Sequence, residues 1–429
     1  MLAAALIAIL GYGVTRVVWF ALQPKLRKKS TKIILWLSTI LYATFVVYVV
    51  VWPNMVHALA FVLLLILAIF DEQFGWMRNL NKRIKRTHKD INVASQKDET
   101  WSESALLQTA KELVDHYKID LANSDFEALT HYCTDSFSYH IRLFIESINN
   151  ENIDMQSKFE LIDVHPVNAT DLSDDELDSI EVIVNGEEVT EVIDRNTKQV
   201  IKTIDQSTEE IYRIERESGR WKLASVLMSD KGEAFTFDIF KKYSLDKGFY
   251  YSNNLTQYLF AKEDNLSFSE LIDTGHLLIG LNHNLLVRIR CAKTPSENPQ
   301  FFLIISAALP AKFPHILIRH SSIGALKTDN LERVSVEWPV FMEQYDVFTA
   351  NKSNSKRDII GLTTILNETL INKLTTPSSN LTIEFSNRNV YVLSPLSGID
   401  SYQEAIDIVN YLYKLCISAD NKMRMFTNS

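Results

Sequence analysis

The chain has 429 residues and a formal net charge of −9, with 12 glycines and three cysteines. Charge is unevenly spread: residues 1–89 carry 12 basic and 2 acidic side chains, and the remainder carries 32 basic and 51 acidic. So acidic a soluble portion argues against nucleic acid, which needs clustered Lys and Arg. Cys133, Cys291 and Cys416 are too few and too far apart for a disulfide framework or a metal site.

Leu2 to Leu22 is one apolar run, broken only by Arg16, and Ile33 to Phe70 is a second, interrupted by Pro53-Asn54. As one helix the second run would be about 57 Å long, roughly twice the ~30 Å hydrocarbon core. The sequence therefore predicts three transmembrane helices within residues 1–75, at about 2–22, 33–52 and 55–70. Lys25, Arg27, Lys28, Lys29 and Lys32 follow the first span, and Arg78, Lys82, Arg83, Lys85, Arg86 and Lys89 follow the third. Basic residues near span ends favour the cytoplasmic side. Three spans put both clusters on that side and the N-terminus outside, whereas two would split them. Residues 1–22 lack the basic n-region and cleavage context of a signal peptide, so the first span is expected to be retained. Arg16 reads as an interfacial anchor, and Ala4, Ala8 and Gly11 as a small-residue face suited to a homo-oligomer.

Residues 76–100 read as a basic, then polar linker, with 88–100 an aperiodic tether. Ser102–Leu121 carries Leu106, Leu107, Ala110, Leu113, Val114 and Tyr117 on one face and is predicted helical. Ser124 is the expected N-cap of a short second helix, with Glu127 at the capping-box position. A third helix carries Phe137, Ile141, Phe144 and Ile145. The period then changes to two, and strands are predicted at Lys158–Val164, Ser179–Val184, Glu209–Arg216 and Arg220–Met228. The stretch 171–194 holds ten carboxylates and no base, and reads as a solvated acidic loop. Three helices followed by an antiparallel meander predict an α+β cone over 101–230.

Asp125-Phe126-Glu127-Ala128-Leu129, Tyr132-Cys133-Thr134-Asp135, Glu210-Ile211-Tyr212-Arg213 and Gly219-Arg220-Trp221-Lys222-Leu223 carry a resemblance. Over about 104–228 the chain resembles the C-terminal domain of mitochondrial inner-membrane translocase subunit forty-four and its bacterial relatives. The resemblance implies a nuclear-transport-factor-two-like cone with an apolar pocket, membrane association, and adaptor or lipid-binding duties. The large aromatic usual before the Asp-Phe-Glu stretch is absent, so no partner surface is carried over. On such a cone the lining is expected from Phe159 and Leu161, from Ile180, Val182 and Val184, and from Tyr212, Ile214, Trp221 and Leu223.

Residues 231–429 read as a second α+β domain. Leu285–Cys291 and Phe301–Ala307 flank the turn Thr294–Pro299, and His315–His320 is a further strand. Asp358–Leu374 is a helix with Leu362, Leu366, Leu370 and Leu374 in line. Leu381–Phe385 and Val390–Leu393 flank Ser386-Asn387-Arg388-Asn389 as a second hairpin. Tyr402–Ile417 is a closing helix. Glu337-Trp338-Pro339, Phe341, Tyr345 and Val347-Phe348 resemble a bacterial domain family of unknown function over about 314–394, with Asn351 where an aspartate is usual.

Motifs for catalysis are scarce. No phosphate-cradling glycine loop follows a strand, and neither H-E-x-x-H nor C-x-x-C occurs; no cofactor and no metal are expected. His315 and His320 are five apart on a strand and make poor co-ligands. His276 and His283 flank Gly280 and read as a loop. Asp163 lies on the side of Phe159 and Leu161 and is the one candidate base, for the alternative reading of a membrane-tethered hydrolase or isomerase. The expected protein is a non-enzymatic adaptor at the cytoplasmic face of a bacterial inner membrane, its pocket binding a protein partner, a peptide or a lipid. Its expected partners are membrane lipids, through the spans and basic clusters, and a membrane or cytoplasmic protein. N-x-S/T sequons such as those at Asn168 and Asn254 would matter only in a secretory lumen.

Overall fold

The computed structural model describes residues 79–427 apart from 173–174, 229–239, 243, 245, 261–265, 297, 324–325, 329–330, 351–355, 377–379 and 397–399. The three expected spans, the cluster Lys25–Lys32, Arg78 and Asn351 lie outside the described residues. Among the described residues no helix is long and apolar enough to cross a membrane.

Contacts divide the chain into two units, one of the described residues up to 108 with 164–182, the other of 109–163 with the described residues from 183 onward. In the first unit, residues 79–94 form helix α1. Thr87, Ile91 and Ala94 are buried on one side, spaced three and four apart. The expected tether at 88–100 is thus helical as far as 94. Beyond it Asp98 caps a short 3-10 turn over Glu99–Trp101, and the Trp101 indole is wholly buried, donating to Asp178 at 3.3 Å. The polar composition hid a helix that needs one residue per turn to hold its inner face.

The second unit contains the C-terminal part of α2 (Glu103–Ala122), then α3 (Phe126–Tyr132) and α4 (Asp135–Glu151). Asp125, not Ser124, caps α3, accepting from the Ala128 N–H; Ser124 sits at a positive φ of 54°. Thr134 caps α4, and its own N–H donates to the Leu223 carbonyl at 2.9 Å. The Asp-Phe-Glu and Thr-Asp segments are therefore two consecutive N-caps, which is why those residue types stand at that spacing.

Four strands follow, β1 (Ile153–Thr170), β2 (Ser179–Asp194), β3 (Val200–Glu217) and β4 (Arg220–Met228), paired in sequence order. Each of the first three is longer than its apolar kernel. The expected acidic loop at 171–194 is for most of its length strand β2, in which Ile180, Val182, Val184 and Val192 are buried in one period-two register. Ser218 and Gly219, both at positive φ, form the two-residue turn between β3 and β4.

The rest of the second unit is a seven-stranded sheet. It runs β5 (Tyr250–Ser252), β6 (Ile272–Asn282), β7 (Leu285–Lys293), β8 (Phe301–His320), β10 (Tyr345–Ala350), β9 (Leu331–Val334), and β11 (Thr382–Pro395) also pairs with β8. His276 and Gly280 lie inside β6 rather than in a loop. The turn is His283-Asn284, both at positive φ, and Gly280 is there because the Phe249 ring lies where a Cβ would stand. Two expected hairpin arms, Leu381–Phe385 and Val390–Leu393, are one strand: Ser386–Asn389 is a pair of bulges facing the stretch of β8 that contains Pro310 and Pro314. Proline cannot donate to a ladder, so the partner slips register there instead of turning back. Phe301–Ala307 and His315–His320 are likewise two parts of β8.

Helices α5 (Pro339–Met342), α6 (Lys356–Ile365), α7 (Glu368–Leu374) and α8 (Asp400–Thr427) complete the fold. The single helix expected over 358–374 breaks at Asn367, whose side chain accepts from the Leu370 N–H and starts α7. Leu366, Leu370, Val409 and Leu412 pack with Ile305, Ile383 and Val392 of the sheet in one apolar core. The chain is thus an α+β protein built on antiparallel sheets. All three cysteines are buried and free.

Candidate functional site

The feature of the second unit with the most chemistry is a charged cluster buried between α2, β2 and β3. Lys118 stands on the apolar side of α2, one residue after Tyr117. Its ammonium lies 2.9 Å from Glu188 Oε2 and 3.0 Å from Glu210 Oε2. The three side chains are only 6%, 4% and 3% exposed, in a region where an unpaired charge would be untenable.

Each carboxylate is supplied with donors. Glu188 Oε1 accepts from the Tyr258 hydroxyl at 2.8 Å and Thr190 at 3.0 Å. Glu210 accepts from Tyr212 at 2.9 Å and from the Asn254 amide at 3.0 Å. The Phe159 ring lies under the Lys118 ammonium, 5.1 Å from its centroid, and rests on Gly186, where a Cβ would stand 2.3 Å from the ring.

Burial alone would push the Lys118 pKa down, but Glu210 and Glu188 offset it and hold the lysine above its ordinary value. Burial likewise would raise Glu188, yet the charge of Lys118 and the hydrogen bonds from Lys118, Tyr258 and Thr190 hold it below the usual carboxylate range. Tyr212 and Tyr258 are pushed well up, first by burial and then by the neighbouring carboxylates, so both phenols stay neutral donors. Such a cluster fixes geometry and charge; its carboxylates are occupied as acceptors.

Beside it is a small cavity of about 20 Å³, walled by Tyr117, Lys118, Glu188, Asn254, Leu255 and Tyr258 among others. That is room for about one water molecule. The Tyr117 hydroxyl is fully buried and has no hydrogen-bond partner among the described residues.

Of the nine residues predicted to line a pocket, Ile180, Val182, Val184, Tyr212, Ile214 and Leu223 are buried, and Phe159, Leu161 and Trp221 are half-buried. None of them walls this cavity. Tyr212 and Phe159 touch the cluster; the others are placed as ordinary interior or half-exposed sheet residues. Asp163, the candidate base, is half-buried and accepts from the Asn185 amide at 2.7 Å. His315 and His320 take separate partners, Glu384 at 2.6 Å and Ser322 at 2.6 Å. Among the described residues no group of three His, Cys, Asp or Glu side chains is placed to hold a metal.

Sequence reasoning missed Lys118, Glu188, Glu210, Asn254 and Tyr258. A signal existed for three: Glu188 continues the period-two register of Val182 and Val184, Glu210 shares that of Tyr212 and Ile214, and Lys118 follows Val114 by four. Charged residues at inward positions imply partners. Asn254 and Tyr258 come from beyond the fourth strand, where no periodicity points.

Lys82, Arg83, Lys85, Arg86 and Lys89 are all exposed on α1, and all but Arg83 lie opposite its buried side. Arg83 also pairs with Glu181 at 3.7 Å.

No known protein family and no curated protein matches the chain. Solved structures align with parts of it, among them the following three. Mycobacterial trehalose monomycolate transport factor A, TtfA, aligns at 10% identity and TM-score 0.32, over 43% of this chain and 95% of its own. The intermembrane-space region of the chloroplast protein ARC6 aligns at 15% identity and TM-score 0.23, over 29% and 97%. An Ntf2-like protein involved in plasmid conjugation aligns at 11% identity and TM-score 0.21, over 48% and 92%. Alignments at these scores are partial overlaps and identify no family.

Proposed function

We propose that the chain is a membrane-anchored, non-enzymatic adaptor, whose α2–α4 and four-stranded sheet form a nuclear-transport-factor-two-like cone held close to an anionic lipid surface. The observation that carries this reading is the two-sided character of α1. Lys82, Lys85, Arg86 and Lys89 recur three and four apart on the side opposite Thr87, Ile91 and Ala94. A helix so arranged docks on its own protein by one side and offers a cationic stripe on the other. Each such residue near an anionic leaflet is worth about 1 kcal/mol. The stripe begins twelve residues after Phe70, where the apolar run ends, so the anchoring spans and the stripe act at one membrane face.

The adaptor reading is favoured over a hydrolase using Asp163 by the state of the charged groups. Glu188 and Glu210 are saturated with donors, and Asp163 is engaged by Asn185. Binding rather than bond-breaking suits such an interior.

The test reconstitutes the full chain in nanodiscs and places a spin label at Lys85→Cys. Accessibility to a water-soluble relaxation agent should fall at least twofold when zwitterionic lipid is replaced by a mixture rich in anionic lipid. No change with lipid charge would remove the stripe from the argument, and failure of the chain to enter nanodiscs would remove the anchor.

A further inference from the structure

The charged cluster of the cone is completed by a segment that comes after it in the chain. Beyond β5 the main chain turns at Ser252, whose hydroxyl accepts from the N–H groups of Asn254 at 3.2 Å and Leu255 at 3.1 Å. Asn253 brackets the end of β4, accepting from the Met228 N–H at 2.7 Å and donating to its carbonyl at 3.1 Å. Asn254 then reaches Glu210, Leu255 walls the cavity, and Tyr258 reaches Glu188. Within one turn the segment offers a buried amide, a leucine and a phenol to two carboxylates.

We propose that the carboxylates Glu188 and Glu210, with the adjoining cavity, are a peptide-binding site, and that residues 252–258 are its resident self-ligand. The partner of the adaptor is then a protein segment with a side-chain amide, a leucine and a phenol at positions i, i+1 and i+4. It enters by displacing this strap. The proposal deepens the adaptor reading and rests on it for the existence of a partner.

Three observations support displacement over permanent packing. The sheet ladder stops at Ser252, and the strap's own main chain adds the Tyr258 N–H to the Leu255 carbonyl at 3.3 Å. Segments held by side chains rather than by a ladder open below the free energy of global unfolding. The seat is also incompletely filled, since the cavity lies against Leu255 and Tyr258, where interiors are ordinarily close-packed. Two residues beyond the strap, Phe260 has φ at +63°, a conformation a bulky side chain rarely adopts. The Phe260 ring is clasped there by Arg290 at 4.4 Å and Arg288 at 5.3 Å. An exit strained in this way favours release.

Two measurements on the full chain test the proposal. Hydrogen exchange of the wild type should show the amides of Asn254, Leu255 and Tyr258 exchanging at least tenfold faster than those of Tyr212 and Ile214. Equal protection would mean that the strap leaves only on unfolding, and would overturn it. Second, a labelled synthetic peptide of residues 249–260 should bind the Asn254→Ala/Tyr258→Phe double variant at least tenfold more tightly than the wild type. The same peptide with phenylalanine at its Tyr258 position should lose most of that affinity. A variant with native near-UV circular dichroism that ignores the peptide, or a wild type that binds it equally, overturns the site. If the double variant does not fold, Tyr258→Phe alone is used with the same readout. Loss of peptide binding with lipid-dependent shielding at Lys85 intact would remove the site and leave the membrane reading standing.

Discussion

Lys118 and Glu188, seventy residues apart in the chain, meet at 2.9 Å with both side chains almost wholly out of water. One element is a helix and the other a strand whose neighbours in sequence are acidic. The pair therefore ties α2 to β2 in the interior, with Glu210 as a second carboxylate on the same ammonium.

Removing the cation should be costly. Lys118→Met leaves Glu188 and Glu210 facing each other's side of an apolar interior, and about 3–5 kcal/mol of unfolding free energy should be lost. Urea unfolding followed by tryptophan fluorescence measures it. Adding Glu188→Gln to Lys118→Met should recover part of the loss, as the second variant removes one of the stranded charges.

The same pair sets a pH dependence. The Glu188 carboxyl is held below its ordinary value of 4.5 in the folded chain, so its contribution is fully present above that value and is lost as pH falls through the folded pKa. The Lys118 ammonium is held above its ordinary 10.5, so its contribution is present below 10.5 and is lost as pH rises through the folded pKa. Stability from this pair should be level between those limits. In Glu188→Gln the acid limb of the stability–pH curve should become shallower below 4.5, with the alkaline limb shifted less.

Two buried tyrosines on neighbouring elements should respond oppositely. The Tyr117 and Tyr212 rings meet edge to face at 6.0 Å, but only Tyr212 donates to a carboxylate. Tyr212→Phe should cost about 1.5–3 kcal/mol, the worth of a hydrogen bond to a charged group. Tyr117→Phe should be neutral or stabilising by up to about 1 kcal/mol, since it removes a buried hydroxyl without a protein partner. Equal losses from the two would show that a bound molecule in the cavity partners Tyr117.

Gly186 on β2 lies hard against an aromatic ring. A methyl group there would enter the Phe159 ring, which is itself held under Lys118. Gly186→Ala should destabilise by about 1–3 kcal/mol through overpacking, and Phe159→Leu in the same chain should relieve much of it. Thermal unfolding of the three variants gives the comparison.

The helices α2 and α4 were legible because Leu106, Ala110, Val114 and Tyr117, and then Phe137, Ile141 and Phe144, repeat at helical spacing, and that repeat decides which side is buried. Strand kernels were legible for the same reason at period two. Strand ends were not, because Lys158 or Asp194 is as acceptable in an exposed ladder as in a loop. Ser386–Asn389 has the composition of a turn, and whether it turns or bulges is settled by Pro310 and Pro314 some seventy-five residues earlier. Of the site, the apolar companions Phe159 and Tyr212 were visible while the ions were not. Lys118 is allowed inside only because Glu188 and Glu210 arrive from elsewhere, a condition that no local window contains.

The buried cysteines turn the protein into its own reporter. Cys133 lies at the junction of α3 and α4, Cys291 on β7 and Cys416 on α8, and burial pushes the Cys133 thiol up to about 12 and Cys416 higher still. Only a thiolate reacts readily with an alkylating reagent, so at neutral pH the native chain should stay unmodified. A thiol becomes labelled only when its own neighbourhood opens. Three sites in three places allow mass spectrometry to time the opening of the helical layer, the sheet and the C-terminal helix separately, without introducing any probe.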